Sequence, residues 1–167
     1  AEKTKYQSIT GSLLWINRGT RPDISHAVWI LTRLMHKPTV DMMEAALYCV
    51  RYIKKTRNCK LTYSLQSNTV LDLDAYDYSS ALPTGFSDSN HAAPRSVSSV
   101  LLMYCNAAVI WSCKNQERTA LSTVQAELTA LSDTSREILY AQKVCDDLGL
   151  NLDKTWTVYC DSKGAIE

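Results

Sequence analysis

The sequence predicts an α/β domain with a mixed sheet, preceded by a helical segment. The spacing of apolar residues follows a helical period over residues 1–60 and changes to a period of two after Lys60. Further along, β-rich runs are followed by one long helical stretch and then another strand, an order that is typical of α/β layers. We therefore place a boundary between residues 60 and 61.

Three helices are predicted in residues 1–60. The first ends at Gly19, and Pro22 opens the second, because proline suits a first helical turn. Pro38 ends the second helix and Thr39 caps the third. Inward-facing positions are predicted at helical spacing: Tyr6, Ile9, Leu13 and Ile16; Ile24, Ala27, Val28, Leu31 and Leu34; and Met43, Ala46, Val50 and Ile53.

Several strands are predicted after residue 60. Alternation of apolar and polar residues indicates strands over 61–65 and 71–75, and a short strand ends at Phe86. Residues 97–104 and 107–113 are β-rich, and the two residues between them, Cys105-Asn106, suit a tight hairpin. Residues 155–160 form a last strand.

One long helix is predicted from Thr123 to about Leu148, with Ser122 or Thr123 as its cap and Gly149 at its end. Its inward face is predicted to consist of Val124, Leu128, Leu131, Ile138, Cys145 and Leu148. A further helix starts at Ser162, five residues before the end of the chain. Because so short a helix does not offset its nucleation cost, the chain is expected to be a truncated piece.

Charge is distributed unevenly along the chain. Residues 1–60 carry eleven Lys or Arg and four Asp or Glu, a net charge of +7, whereas residues 61–167 carry seven and thirteen, a net charge of −6. A basic part suits a polyanionic partner and an acidic part suits a cation. The same two net charges would also be explained by two ordinary solvent-exposed surfaces that bind no charged partner.

Composition also bounds the compartment and the role of the cysteines. No apolar run approaches the ~20 residues that cross a bilayer, and the N-terminus lacks the apolar segment of a signal peptide. The protein is therefore expected to be intracellular, without a membrane partner and not secreted. Without a signal peptide its six cysteines are expected to stay reduced, and because they show no CxxC or Cys/His ligand spacing they are expected to be structural or incidental residues.

Three acidic residues occupy positions where a sheet and a helix can bring them together. Asp88 lies at the end of a strand, Glu127 in the first turn of the long helix, and Asp161 at the end of the last strand. Three adjacent carboxylates repel one another unless a cation binds them, and oxygen ligands select Mg2+ or Mn2+. Taken singly, Asp88 also fits a turn, Glu127 a helix dipole, and Asp161 a neighbour of an N-cap.

Motifs in both parts of the chain occur in one order and carry a family resemblance. In the first part they are YQSITGSLL from Tyr6, TRPDI from Thr20, PT at Pro38 and VRYIK from Val50. In the second part they are GFSDS from Gly85, RSVS from Arg95, IWSCKNQ from Ile110, ALS from Ala120, AEL from Ala126 and YCDS from Tyr159. Together these motifs resemble the end of the Pol polyprotein of copia-type LTR retrotransposons, over essentially the whole chain.

The resemblance implies two domains and a function. Residues 1–60 would be the helical end of reverse transcriptase, similar to a thumb or connection region. Residues 61–167 would be an RNase H-like domain, a mixed sheet with packed helices, that lacks its C-terminal elements. The implied activity is that of a ribonuclease H-type endonuclease, which hydrolyses the RNA strand of an RNA·DNA hybrid within the polyprotein, in the cytoplasm or a virus-like particle.

The resemblance also implies a metal site with two Mg2+ or Mn2+ ions. Asp88 would bridge the two ions, Glu127 would bind the ion on the leaving-group side, and Asp161 the ion that holds the nucleophile. The family's fourth Asp would lie after Glu167, so this piece alone is expected to be nearly inactive. Asp77 is a weaker rival of Asp88 as the first ligand, because the spacing between Tyr63 and Arg95 departs from the family pattern.

A basic run is the predicted contact with nucleic acid. It consists of Arg51, Lys54, Lys55, Arg57 and Lys60, and no acid lies among residues 51–60. The same residues would also suit a solvated helix end, where cations face the negative pole of the dipole. The alternative to the enzymatic function is a decayed or domesticated fragment that acts at most as a binding module.

Overall fold

The computed structural model describes residues 2–63, 83–91, 95–150 and 155–166. The chain divides into two compact units, Ala1–Leu61 and Thr62–Glu167. Within the described ranges, no helix has both the length and the apolar character needed to cross a membrane. The elements in chain order are α1 (Glu2–Thr20), a 3-10 turn (Pro22–Ile24), α2 (Ser25–Arg33), α3 (Val40–Lys55), β1 (Thr84–Asn90), β2 (Val97–Tyr104), β3 (Ala107–Asn115), α4 (Thr123–Asp147), β4 (Thr157–Tyr159) and α5 (Lys163–Ile166).

The first unit is helical, as the period of its apolar residues predicts. Thr39 caps α3, since its Oγ1 accepts a hydrogen bond from the N–H of Met42. The buried core consists of Tyr6, Leu13, Ile24, Val28, Leu31, Ala46 and Cys49. The inward positions predicted for Ala27 and Val50 are wrong, because both residues are exposed. On α3 the buried row instead passes from Ala46 to Cys49, three residues on, which leaves Val50 at the edge of the apolar face.

A buried arginine joins the segment after α1 to the end of α3. Arg21 donates two hydrogen bonds to the carboxylate of Asp23, at 2.9 and 2.7 Å, and one to Oγ1 of Thr56 at 2.6 Å. Its guanidinium also lies 5.5 Å from the ring centroid of Tyr52. The TRPDI motif therefore has a structural role in this unit, because Arg21 and Asp23 fix how the helices meet.

The second unit contains a four-stranded mixed sheet with the order β3-β2-β1-β4. β1 and β2 are antiparallel, as are β2 and β3, whereas β1 and β4 are parallel. The predicted α/β class with an antiparallel hairpin is confirmed, and the arrangement is compatible with an RNase H-like fold. β1 continues four residues past the predicted end at Phe86, because its pairing with β2 extends to Asn90 opposite Val97.

The hairpin between β2 and β3 is as tight as the sequence predicts. Cys105 and Asn106 have φ values of 51° and 62°, which is the geometry of a two-residue turn with both central residues in the left-handed region. Residues 61–63 are not in a strand, so the strand predicted from residue 61 is wrong there. The rest of that strand and the one predicted over 71–75 lie outside the described residues.

The long helix α4 packs on one face of the sheet through small residues. Ser122 caps it by accepting a hydrogen bond from the N–H of Gln125. The residues buried against the sheet are Ala126, Glu127, Ala130, Asp133, Thr134 and Ile138. Of the predicted inward face, Val124, Leu128 and Leu148 are exposed, so that prediction is wrong for them. A Cβ on Gly85 would lie 3.6 Å from Cγ2 of Thr134, which shows how closely helix and sheet approach.

The buried Arg21 yields a prediction for the stability of the first unit. The Arg21→Met variant should lower the free energy of unfolding by about 2 kcal/mol, which is less than the ~3–5 kcal/mol of a fully buried ion pair because Asp23 is 38% exposed and can be hydrated. Its hydrogen bond with Arg21 lowers the pKa of Asp23, so this contribution is present above the usual aspartate pKa and is lost as the pH falls through the lowered value.

Urea unfolding followed by circular dichroism at several pH values measures this cost. Arg57→Met is the matched control, because Arg57 is exposed and its loss should cost less than about 0.5 kcal/mol. Equal costs for the two variants, or a cost for Arg21→Met that grows towards acid pH, would contradict the structural role of Arg21.

Candidate functional site

The two faces of β1 present different residues, and only one of them meets α4. Gly85 and Ser87 are buried, whereas Phe86 and Asp88 are exposed, as expected for side chains that alternate along a strand. We call the side that carries Gly85, Ser87 and Ser89 the helix face, and the side that carries Phe86 and Asp88 the far face. This alternation determines which side chains can reach the carboxylate on α4.

Glu127 points from α4 to the end of β1 and is buried, at 8% exposure. One of its carboxylate oxygens, Oε1, accepts a hydrogen bond of 2.7 Å from the hydroxyl of Ser89 and one of 3.3 Å from the backbone N–H of the same residue. Glu127 is the fifth residue of α4 and thus lies beyond the first turn. Its position is therefore explained by contact with the sheet and not by the helix dipole, because interaction with the dipole falls off within the first turn.

Asp161 approaches Glu127 from the end of β4. A ligand atom from each of Glu127, Cys160 and Asp161 lies within 4.8 Å of the other two. Cys160 Sγ is 3.9 Å from Oε2 of Glu127, and Asp161 is exposed. The short helix α5 follows directly, and Gly164 lies against Val124 of α4, so the start of α4 and the end of β4 are held at the same edge of the sheet.

Asp88 is not part of this group. It is one residue before Ser89, and its exposed side chain lies on the far face of the sheet, opposite Ser99 of β2 and, beyond that, Cys113 of β3. Burial raises the pKa of the Cys113 thiol, and the negative charge of Asp88 raises it further. The structure thus brings together two of the three predicted carboxylates, Glu127 and Asp161. Asp77 lies outside the described residues.

A buried glutamine connects the first turn of α4 to β2. The side-chain amide of Gln116 donates hydrogen bonds to the hydroxyl of Ser98, at 3.0 Å, and to the carbonyl of Ala126, at 2.8 Å. Its backbone N–H bonds to the carbonyl of Ser96. These bonds join the strand-to-helix connection to both β2 and α4, and so fix the residue that precedes Glu127.

The predicted nucleic-acid contacts lie in the first unit and are all exposed. Arg51, Lys54 and Lys55 belong to the last part of α3, and Arg57 and Lys60 follow it. The guanidinium of Arg51 lies 5.9 Å from the ring centroid of Tyr48. Both interpretations of this run, a phosphate contact and a solvated helix end, require exposure, so they stay open.

Sequence reasoning missed two members of the site. Ser89 gives no signal of its own, because its role depends on the face of β1 that it occupies. Cys160 has no neighbouring Cys or His at a ligand spacing, and its position directly before Asp161 was the one available sign. All six cysteines are free thiols.

Comparison with known proteins places the chain among transposon polyproteins. It is 31% identical, over 99% of its length, to the retrovirus-related Pol polyprotein from transposon TNT 1-94 of Nicotiana tabacum. It is 30% identical, over 98% of its length, to the Pol polyprotein from transposon RE1 of Arabidopsis thaliana. The chain spans 12% and 11% of the lengths of these two relatives.

A third relative is much shorter. The chain is 29% identical, over 81% of its length, to the secreted RxLR effector protein 161 of Plasmopara viticola, and the match covers 89% of that protein. No family model and no solved structure matches the chain.

The contact between Ser89 and Glu127 predicts a measurable stability difference. Ser89→Ala removes a charge-assisted hydrogen bond to a buried carboxylate and should lower the free energy of unfolding by about 1.5 kcal/mol. Ser99→Ala is the matched control on the far face, where the hydroxyl has only a 3.8 Å contact with a sulfur atom, and should cost less than about 0.5 kcal/mol. Urea unfolding measures both variants, and the contact has no such role if the control costs as much.

Proposed function

We propose that the second unit of the chain takes part in metal-dependent hydrolysis of the RNA strand of an RNA·DNA hybrid. The premise is that the chain is a segment of the retrovirus-related Pol polyproteins of copia-type transposons. The observation that carries the proposal is the approach of Glu127 to Asp161 at one edge of the sheet. Two carboxylates from different elements converge there, and one of them is buried.

The residues present fit a divalent cation. A buried carboxylate beside a second carboxylate is unfavourable unless positive charge compensates them, and the hydrogen bonds that Ser89 donates to Oε1 and Cys160 donates to Oε2 of Glu127 bring no positive charge. When bound, Mg2+ or Mn2+ would supply Lewis acidity and a water molecule of lowered pKa for attack on a phosphodiester. Glu127 and Asp161 would hold the ion.

Each residue then has a distinct part. Ser89 holds Glu127 in one orientation, so that this carboxylate needs little rearrangement to bind an ion. Asp161 is exposed, so a substrate can reach it. A role for Asp88 as the bridging ligand would require its side chain to leave the far face, so the proposal rests on Glu127 and Asp161.

The basic run in the first unit supports an interaction with nucleic acid. Its five cations are exposed, and residues 51–60 contain no acid to neutralise them. Lysine and arginine contacts with phosphates displace counterions and dominate binding that is independent of sequence. We include these residues in the proposal as the phosphate contacts of the hybrid.

A second candidate function is a binding module without activity. Two observations favour it: Glu127 already has hydrogen-bond partners in Ser89, and Asp88 lies on the other face from Glu127. The Plasmopara viticola relative, whose own name describes a secreted effector, shows that a segment of similar length also occurs as nearly a whole protein. Measurement of cleavage separates the two candidates.

Hydrolysis of a hybrid with a labelled RNA strand tests the proposed activity on the 167-residue chain. Cleavage should be slow, because two carboxylates rather than three converge, and should require Mg2+ or Mn2+. Glu127→Gln and Asp161→Asn should each lower the rate to background. Asp146→Asn should leave it unchanged, since Asp146 is exposed near the other end of α4, about 28 Å along the helix from Glu127.

Two outcomes would contradict this activity. If cleavage persists in the Glu127→Gln variant, the observed nuclease is a contaminant or uses other residues. If neither ion supports any cleavage of a hybrid that the chain binds, and a chain extended beyond Glu167 through the expected fourth Asp does not cleave it either, the second candidate is correct.

Hybrid binding at several salt concentrations tests the basic run. The double variant Lys54→Ala with Lys55→Ala should reduce the slope of log K against log salt by up to about 1.8, which corresponds to two phosphate contacts. Lys3→Ala with Lys5→Ala removes the same charge from exposed positions on α1 and should leave the slope unchanged. Equal slopes for the two double variants would identify residues 51–60 as a solvated helix end.

A further inference from the structure

An apolar groove lies between α2 and α3 in the first unit. Its volume is about 400 Å3, and its walls are almost entirely apolar. Ala27 and Ile30 of α2 form one wall, and Ala45 and Tyr52 of α3 form the other. All four residues are exposed, so the groove is open to solvent. A concave apolar surface that is open in this way is typical of a place where another molecule binds.

The outer face of α3 borders this groove and carries opposite charges at its two ends. Asp41, Glu44, Tyr48, Arg51 and Lys55 follow one another at alternating steps of three and four residues, so they form one stripe along the helix. All five are exposed, and Tyr48, which also lines the groove, is 68% exposed. Among the described residues, no ion pair involves the four charged members of this stripe.

The order of these charges makes the stripe complementary to itself. If two copies of α3 pair antiparallel about a twofold axis at Tyr48, Asp41 lies opposite Lys55 of the partner subunit. Glu44 then faces Arg51 of the partner subunit with an offset of one residue, ~1.5 Å along the helix, which the two side chains can span. Alternating steps of three and four residues are also the spacing that keeps two paired helices in contact. A parallel pairing would instead place like charges together.

We infer that the groove is a docking site for a second copy of the chain. The two α3 helices pair antiparallel, and the ring of each Tyr48 enters the groove of the partner. Burial of the aromatic rings supplies the affinity, and the complementary charges determine the orientation. The inference goes beyond the proposed function and does not rest on it. The pairing uses Arg51 and Lys55 of the basic run and leaves its other three cations available to phosphates.

Sedimentation equilibrium of the 167-residue chain tests the pairing. The mean mass should rise from that of one copy towards that of two between about 1 and 300 μM, because small interfaces bind weakly. Tyr48→Ala should weaken dimerisation at least about tenfold, since it removes the aromatic anchor. Tyr140→Ala is the matched control, because Tyr140 is a tyrosine of similar exposure, 61%, on α4, and it should leave dimerisation unchanged.

An exchange of charges tests the antiparallel orientation. Glu44→Lys and Arg51→Glu should each weaken dimerisation at least about tenfold, because each places like charges opposite one another. An equimolar mixture of the two variants should dimerise again, since every facing pair in the mixed dimer has opposite charges. Pairing within one chain does not explain such a recovery, because positions 44 and 51 are ~10 Å apart along α3.

Three results would overturn the inference. They are a chain that stays monomeric over this concentration range, a dimer that Tyr48→Ala does not weaken, and a mixture of the charge variants that dimerises no better than its components. Each of them leaves the proposed function intact, because hydrolysis of the hybrid tests that function separately. All the substituted residues are exposed, and circular dichroism of each variant confirms that its fold is retained.

Discussion

The close packing of α4 on the sheet determines where the carboxylates of the second unit lie. Ala126, Ala130 and Thr134 are fully buried against β1 and β2, so small side chains separate the helix from the sheet. Larger residues at these positions would hold the helix further from the sheet. At the distance that small residues permit, Glu127 reaches the end of β1 and becomes buried there.

This packing also selects which residues can take part in one site. Since side chains alternate along β1, Ser89 meets Glu127 while Asp88 lies on the far face. β4 is parallel to β1 and ends at the same edge, which brings Cys160 and Asp161 to Glu127. The result is a compact group of two carboxylates and one thiol, in which the hydroxyl of Ser89 donates a hydrogen bond to the carboxylate of Glu127. The two carboxylates of that group favour a cation.

The sequence predicted the elements whose signals are local. Thr39 and Ser122 were recognisable as helix caps, and the turn at Cys105-Asn106 matches the observed hairpin. Ile138 is buried on α4 as predicted, but Val124, Leu128 and Leu148 were wrongly placed on its inward face, because large apolar residues were expected where the close approach of the sheet selects small ones. Ser89 and Cys160 could not be identified as members of the site, since their roles depend on strand register and on the pairing of β4 with β1.

The central claim is that Glu127 and Asp161 together bind a divalent cation. A crystal structure of the 167-residue chain grown with Mn2+, with anomalous diffraction recorded at the manganese absorption edge, tests it most directly. The claim predicts an anomalous peak within coordination distance of a carboxylate oxygen from each of the two residues. A map with no peak there, in which Ser89 still holds Glu127 and the carboxylate of Asp161 points into solvent, would contradict it.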